Sequence, residues 1–204
     1  MIGVESLLFT ESRVGVICGV DEAGRGPLFG DVVAAAVILN PSAPIEGLGD
    51  SKKLTEKVRE KLYDQIYARA ISVGVGRASV EEIDQLNILQ ASMLAMQRAV
   101  ESLSRQPDLA LIDGNRCPVL TCASEAIIKG DAKEISIGAA SIIAKVERDK
   151  YMESLHELFP HYELYSHKGY PTKKHISLIK KFGVNKIYRK TFKPVRDLIY
   201  KKDA

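Results

Sequence analysis

The chain has 204 residues, 46% hydrophobic and 27% charged, a balance that excludes a disordered, collagen-like or low-complexity protein. Its longest strictly apolar run, residues 32–39, is far below the ~20 residues of a membrane helix, and the start MIGVESLLFTESR has no basic segment ahead of an apolar one, so neither a membrane span nor a secretory leader is expected. The net charge of +3 is unevenly divided, with residues 1–144 summing to −5 and residues 145–204 to +8, which suits either a polyanionic partner of the C-terminal quarter or a solvated helix face.

In chain order, residues 16–20 and 32–39 read as buried strands, the second β-branched at both ends. Between them DEAGRGPLFGD is rich in Gly and Pro and predicts a tight connection. A helix is expected over 55–70, with Val58, Leu62 and Ile66 on one face at i, i+4 spacing. Alternation over 71–77 predicts a third strand, and Ser79 with Glu82 forms the pattern of a capping box opening a short helix. A second long helix is expected over 87–104, short strands over 109–112 and 125–129, and a helix over 137–158 whose AASIIAKV stretch allows close packing. From residue 159 onward prolines punctuate short basic helices. The expected architecture is an α/β domain over 1–150, with a basic helical region over 151–204 on the same core. The three cysteines are odd in number and set no disulfide framework, which points to a reducing cytoplasm. Cys117 and Cys122 lack a second ligand pair, so zinc is not expected.

Four carboxylates stand out by placement. Asp21 and Glu22 follow the first strand, Asp113 closes the strand over 109–112, and Asp131 closes the next one. Strand ends of an α/β sheet bring side chains from distant parts of the chain to one point. Carboxylates crowded there repel one another unless cations neutralise them, and the cations that suit oxygen ligands are hard divalent ions. Asp113-Gly114, taken singly, is equally a turn pair, and Asp131 serves equally as a cap for the helix that follows. Adjacent acids after a buried strand have no packing role, so Asp21 and Glu22 carry more weight. The turn Gly24-Arg25-Gly26-Pro27 is either a plain reverse turn or a segment whose backbone approaches a ligand closely.

Several motifs occur in one order: DEAGRGP (21–27), DSKKL (50–54), LNIL (86–89), IDGN (112–115), KGD (129–131), AASIIAKVERD (139–149) and HKGYPTKKH (167–175). Together they resemble the bacterial ribonuclease HII family, the type 2 ribonucleases H, over nearly the whole chain. The resemblance implies a ribonuclease H-like mixed β-sheet flanked by helices. It also implies an endonuclease that cuts the RNA strand of RNA–DNA hybrids and nicks duplex DNA on the 5′ side of an embedded ribonucleotide. By the same resemblance Asp21, Glu22, Asp113 and Asp131 are the catalytic, metal-binding tetrad for Mg2+ or Mn2+. Gly24, Arg25 and Gly26 correspond to the segment that senses the ribose 2′-hydroxyl, Tyr170 to a tyrosine packed on the deoxyribose beyond the junction, and Lys52, Lys53 and Asn87 to phosphate contacts.

The 2′-hydroxyl is the group that separates RNA from DNA at a nucleotide, and it both donates and accepts hydrogen bonds. Basic residues beyond 164 would hold the duplex through sequence-independent phosphate contacts. The partners expected are therefore RNA–DNA hybrid and ribonucleotide-containing duplex DNA, with no membrane and no obligate protein partner readable in the sequence, for a cytoplasmic chain read as a monomer. No tetrad motif contains a histidine, so no histidine base is assigned; His167 and His175 are read as phosphate, surface or capping residues, and Asp149 as an ion-pair residue beside Arg148 and Lys150. Asp31 and Gly138 depart from the family pattern, which touches fine specificity and not the tetrad. The rival readings are another two-metal nuclease of the same fold and a hybrid-binding protein without catalysis.

Overall fold

The computed structural model of the chain describes residues 15–48 and 54–200. Strand β2 (Val32–Ile38, with β1 being Ile17–Ala23) is buried at every position, because its small and β-branched side chains serve two helical layers at once. Val32, Ala34, Ala36 and Ile38 join Cys18 and Val20 in the cluster that also holds Ala91, Ala95, Met96 and Ala99; those three alanines and the methionine belong to helix α3 (Ile88–Glu101). Ala35 and Val37 point the other way, toward α1 (Glu56–Arg69) and α4 (Ile135–Leu158). The period of two along a strand thus divides one apolar run between two cores.

With β3 (Ser72–Ala78), β4 (Leu109–Asp113) and β5 (Ala123–Ile127), the sheet order is β3-β2-β1-β4-β5. The first three strands pair antiparallel, while β4 is parallel to β1 and β5 to β4. This is the expected ribonuclease H-like arrangement, a mixed sheet flanked by helices. At Gly19 of β1 a Cβ would stand 2.1 Å from the backbone of Ser136, so only glycine lets the first turn of α4 lie directly against the strand.

Local signals are realised where side chains meet their own backbone. Thr55 caps α1 by accepting from the Val58 N–H at 3.4 Å. Ser79 and Glu82 form the reciprocal capping box of α2 (Val80–Leu86), with the Ser79 N–H 2.8 Å from Glu82 Oε2.

Three boundaries differ from the sequence reading. Asp21 and Glu22 do not follow β1 but lie within it, opposite Ala35 and Ala34 of β2, because the antiparallel ladder extends past the apolar run. β5 starts and ends two residues earlier than expected; its first three residues are exposed, so no buried face marks its start. Asp131 consequently closes no strand and sits in a 3-10 turn, Gly130–Ala132, ahead of α4.

The C-terminal segments α5 (Leu164–His167), α6 (Lys173–Phe182) and α7 (Lys193–Tyr200) gather around a second core. Its centre is Phe29, from the connection between β1 and β2, packed with Leu28, Met152, Tyr162, Ile179, Tyr188 and Val195. The Phe29 ring meets Tyr188 edge-on at 4.6 Å, and the backbones of the same two residues form an antiparallel bridge. Among the described residues no helix is long and apolar enough to cross a membrane.

Candidate active site

The parallel register of β1 and β4, which sets Val20 beside Ile112, carries the next residues of both strands, Asp21 and Asp113, to one place. Asp21 is 5% exposed; its Oδ1 accepts from the Glu22 N–H at 2.7 Å. Burial, and then the neighbouring charges of Glu22 and Asp113, hold its carboxyl well above the usual range, against the opposing hydrogen bond from Ser141. Burial also raises Glu22, with the Arg25 guanidinium working against it; Arg25 Nη1 donates to Glu22 Oε1 at 3.1 Å. The second oxygen, Oε2, is buried with no hydrogen-bond partner. Asp113 Oδ1 accepts from the Gly130 N–H at 2.7 Å, which fastens the turn carrying Asp131 to the end of β4.

Asp21, Glu22 and Asp113 line one cleft of about 290 Å³, and Gly24, Arg25, Gly26 and Tyr170 line it too. The turn and the tyrosine, some 145 residues apart in sequence, lie side by side: a Cβ added to Gly26 would stand 3.3 Å from the Tyr170 ring. Gly24 has φ +98, and a Cβ there would fall 2.0 Å from Arg148 Nε, so both conformation and space demand glycine. Asp131 is 6% exposed and lies next to the amide held by Asp113, yet it is not part of the cleft wall. Among the described residues no three His, Cys, Asp or Glu side chains close into a metal cage.

Other expectations fall elsewhere. Lys52 and Lys53 lie outside the described residues. Asn87 is not part of the cleft wall: its Oδ1 caps α3 by accepting from the Leu89 and Gln90 N–H groups at 3.0 and 3.2 Å, and it lines a separate groove with Asp84 and Thr191. His167 and His175 are not surface residues. They are buried and stacked at 4.1 Å, and His175 makes ring hydrogen bonds with the Tyr170 carbonyl at 2.9 Å and the Tyr188 hydroxyl at 3.1 Å. Asp149 is ion-paired, but with Lys145, at 2.6 and 2.7 Å; one helical turn back is the same face, whereas Arg148 and Lys150 point elsewhere. Asp31 also lies away from the cleft wall. Burial pushes its carboxyl up, and hydrogen bonds from Tyr151 and the Val80 backbone oppose that rise.

Four cleft residues, Arg59, Ser141, Lys145 and Arg148, were not singled out by the sequence reading. Three of them share the AASIIAKVERD motif at i, i+4 and i, i+3 spacing, the one signal in sequence that they share a helix face.

A model of the Ribonuclease HII family matches residues 18–195. The chain belongs to the ribonuclease HII family. It is 58% identical over 187 residues to a ribonuclease HII of Azoarcus sp. (strain BH72), covering 92% of each chain. It is 61% identical over 180 residues to one of Vibrio vulnificus (strain YJ016), covering 88% of this chain and 87% of the relative. The fold matches the crystal structure of the ribonuclease H2 from Pyrococcus horikoshii OT3 with a TM-score of 0.74 at 30% identity, over 89% of this chain and 96% of that one. As a ribonuclease HII the chain is an endoribonuclease.

The raised carboxyl of Asp21 has a consequence for stability. A carboxylate whose folded pKa lies above its unfolded value costs stability at neutral pH. Asp21→Asn keeps an oxygen for the Glu22 N–H and removes the charge, so in chelator its thermal midpoint is expected to rise by about 2–4 °C for each ~1 kcal/mol of repulsion relieved. Differential scanning calorimetry reads this directly, and a lowered midpoint would show that the buried charge is already compensated.

Proposed function

We propose that this ribonuclease HII hydrolyses the RNA strand of RNA–DNA hybrids and nicks duplex DNA 5′ of an embedded ribonucleotide, leaving 3′-hydroxyl and 5′-phosphate ends. Its role is ribonucleotide removal during DNA replication and repair in the cytoplasm. The observation that carries the reading is the junction of two features in one cleft: crowded acids, one with an orphaned buried oxygen, beside a Gly-Arg-Gly turn that lies next to Tyr170.

The acids fit hard divalent ions. Glu22 Oε2 lacks any donor, Asp21 is burdened by two neighbouring charges, and all the donors are oxygens, so Asp21, Glu22, Asp113 and Asp131 would hold Mg2+ or Mn2+. An open set of carboxylates, completed by water and substrate phosphate, suits Mg2+ better than a closed cage does. When bound, such ions acidify water and stabilise charge on the phosphate.

The chain's own groups do the rest. Arg25 holds Glu22 Oε1 and so fixes the carboxylate's orientation. The backbone of Gly24, Arg25 and Gly26 comes close enough to the ribose to test for a 2′-hydroxyl, because no side chain intervenes at either glycine. Tyr170, 45% exposed, offers its ring to the sugar beyond the junction and rejects a bulkier one. Lys52, Lys53 and the NH2 of Asn87 extend phosphate contacts along the duplex.

The test is cleavage of a labelled duplex carrying one ribonucleotide, beside an all-DNA duplex and a long hybrid, with and without Mg2+ or Mn2+. The expected result is a metal-dependent nick 5′ of the ribonucleotide with the all-DNA duplex intact. Cleavage of the long hybrid alone would discard the roles given to Arg25 and Tyr170.

A further inference from the structure

The connection between β1 and β2 folds without regular structure, so its buried carbonyl groups need donors from elsewhere. Most come from one side chain. Arg189 is 0% exposed, and its guanidinium donates from Nε to the Gly30 carbonyl at 2.8 Å, from Nη1 to the Arg25 and Pro27 carbonyls at 3.1 and 2.8 Å, and from Nη2 to the Asp31 carbonyl at 3.0 Å. Its own backbone N–H reaches the Leu28 carbonyl at 2.9 Å. Burial and the nearby Arg148 cation push its pKa down to about 9, so this cation is kept inside the protein at a cost.

One of these four bonds reaches into the Gly-Arg-Gly turn itself. In a trans peptide the C=O and the following N–H point in opposite directions, and the described chain contains no cis peptide. Drawing the Arg25 carbonyl inward to Arg189 therefore turns the Gly26 N–H outward, on the face where Gly26 is exposed beside Tyr170. The other side of the connection is tied to the tyrosine segment: the Leu28 N–H donates to the Gly169 carbonyl at 2.8 Å, and Arg148 Nη1 and Nη2 donate to the Lys168 and Phe29 carbonyls at 3.2 and 3.4 Å.

We propose that Arg189 is a positioning residue for ribonucleotide recognition: by holding the 25–31 backbone through four carbonyls, it presents the Gly26 N–H, opposite Tyr170, to the sugar at the junction. The inference rests on the reading of the Gly24–Arg25–Gly26 turn as the 2′-hydroxyl sensor. Arginine is required because its planar fork offers five donors in fixed directions; lysine keeps the charge but offers three donors from one atom and cannot span four carbonyls. Nothing in this role touches the reacting phosphate.

The experiment compares the native chain with Arg189→Lys and Arg189→Met on two substrates, a single-ribonucleotide duplex and a long RNA–DNA hybrid. The ratio of kcat/KM on the first to that on the second cancels any general loss of folded enzyme. It is expected to fall roughly 10–100-fold in both variants, with Lys no better than Met. Hydrogen exchange is read alongside, and is expected to quicken in peptides covering residues 24–31 and not in those covering β4. An unchanged ratio with unchanged exchange overturns the inference while leaving the sensor reading intact. Full rescue by Lys overturns it as well, since charge alone would then suffice. A native chain with no preference between the two substrates removes the sensor reading, and this inference with it. If Met prevents folding, the ratio and the exchange pattern of Lys decide the matter.

Discussion

Asp113→Asn is expected to bind RNA–DNA hybrid within about threefold of the native affinity while losing turnover by on the order of 10³-fold or more. The substitution is nearly isosteric, and the Asn carboxamide oxygen still accepts the Gly130 N–H that Asp113 Oδ1 holds at 2.7 Å. The turn bearing Asp131 therefore keeps its place against β4. What disappears is the negative charge in the wall of the cleft, the property on which cation binding depends. Hybrid affinity comes chiefly from sequence-independent phosphate contacts and is spared. Single-turnover cleavage at saturating enzyme, with binding followed by fluorescence anisotropy, separates the two effects. Undiminished cleavage would remove Asp113 from the chemistry, and a joint loss of binding and fold would show that its bond to Gly130 is its main role.

Acid is expected to destabilise the fold by about 3 kcal/mol through His175 alone as the pH falls from 6.5 toward 4. The ring is buried, and burial pulls its pKa from 6.5 to about 4. Its two nitrogens face the Tyr170 carbonyl and the Tyr188 hydroxyl. The carbonyl can only accept, so Nδ1 carries the proton and Nε2 accepts from Tyr188; a second proton would put a full positive charge on a buried ring. The unfolded chain thus binds a proton that the folded chain refuses between these pH values, and stability rises with pH across the window. His167, stacked on the same ring, is lowered by burial too and acts in the same direction. The raised Asp21 and Glu22 act oppositely, so the informative quantity is the difference between urea-unfolding curves of the native chain and His175→Gln at each pH. That difference should shrink toward acid pH; parallel pH profiles would show that His175 does not titrate in this window. Because the same ring holds the backbone of Tyr170, loss of junction recognition should accompany the loss of stability.

Much of this architecture is written locally in the chain. The Ser79–Glu82 box, the two-faced strand β2 and the adjacent acids Asp21 and Glu22 depend on near neighbours or on a period of two, and a reader of the sequence finds them. β5 escapes accurate placement because its first half is exposed and shows no apolar face. Asn87 has a role that its motif did not reveal: at the break between α2 and α3, where it holds φ +74, its side-chain oxygen caps α3. Ser141, Lys145 and Arg148 look like one face of an ordinary helix; what turns them toward the acids is the passage of α4 over Gly19, a relation between segments more than 110 residues apart. Arg189 gave no signal in sequence, since its four partners lie 158 to 164 residues upstream. Charge counting placed it in a basic surface region, and it is wholly interior.

The distance between Arg189 and the carbonyls it holds also orders events during synthesis. A chain leaving the ribosome N-terminus first exposes Asp21, Glu22, Asp113 and Asp131 well before residue 189, and the Phe29 core must wait for Tyr188 and Val195. The acids are therefore present in the nascent chain while the connection that follows β1 still lacks its interior brace. A product terminated before residue 189 would carry the acids without the interior brace on the connection between β1 and β2.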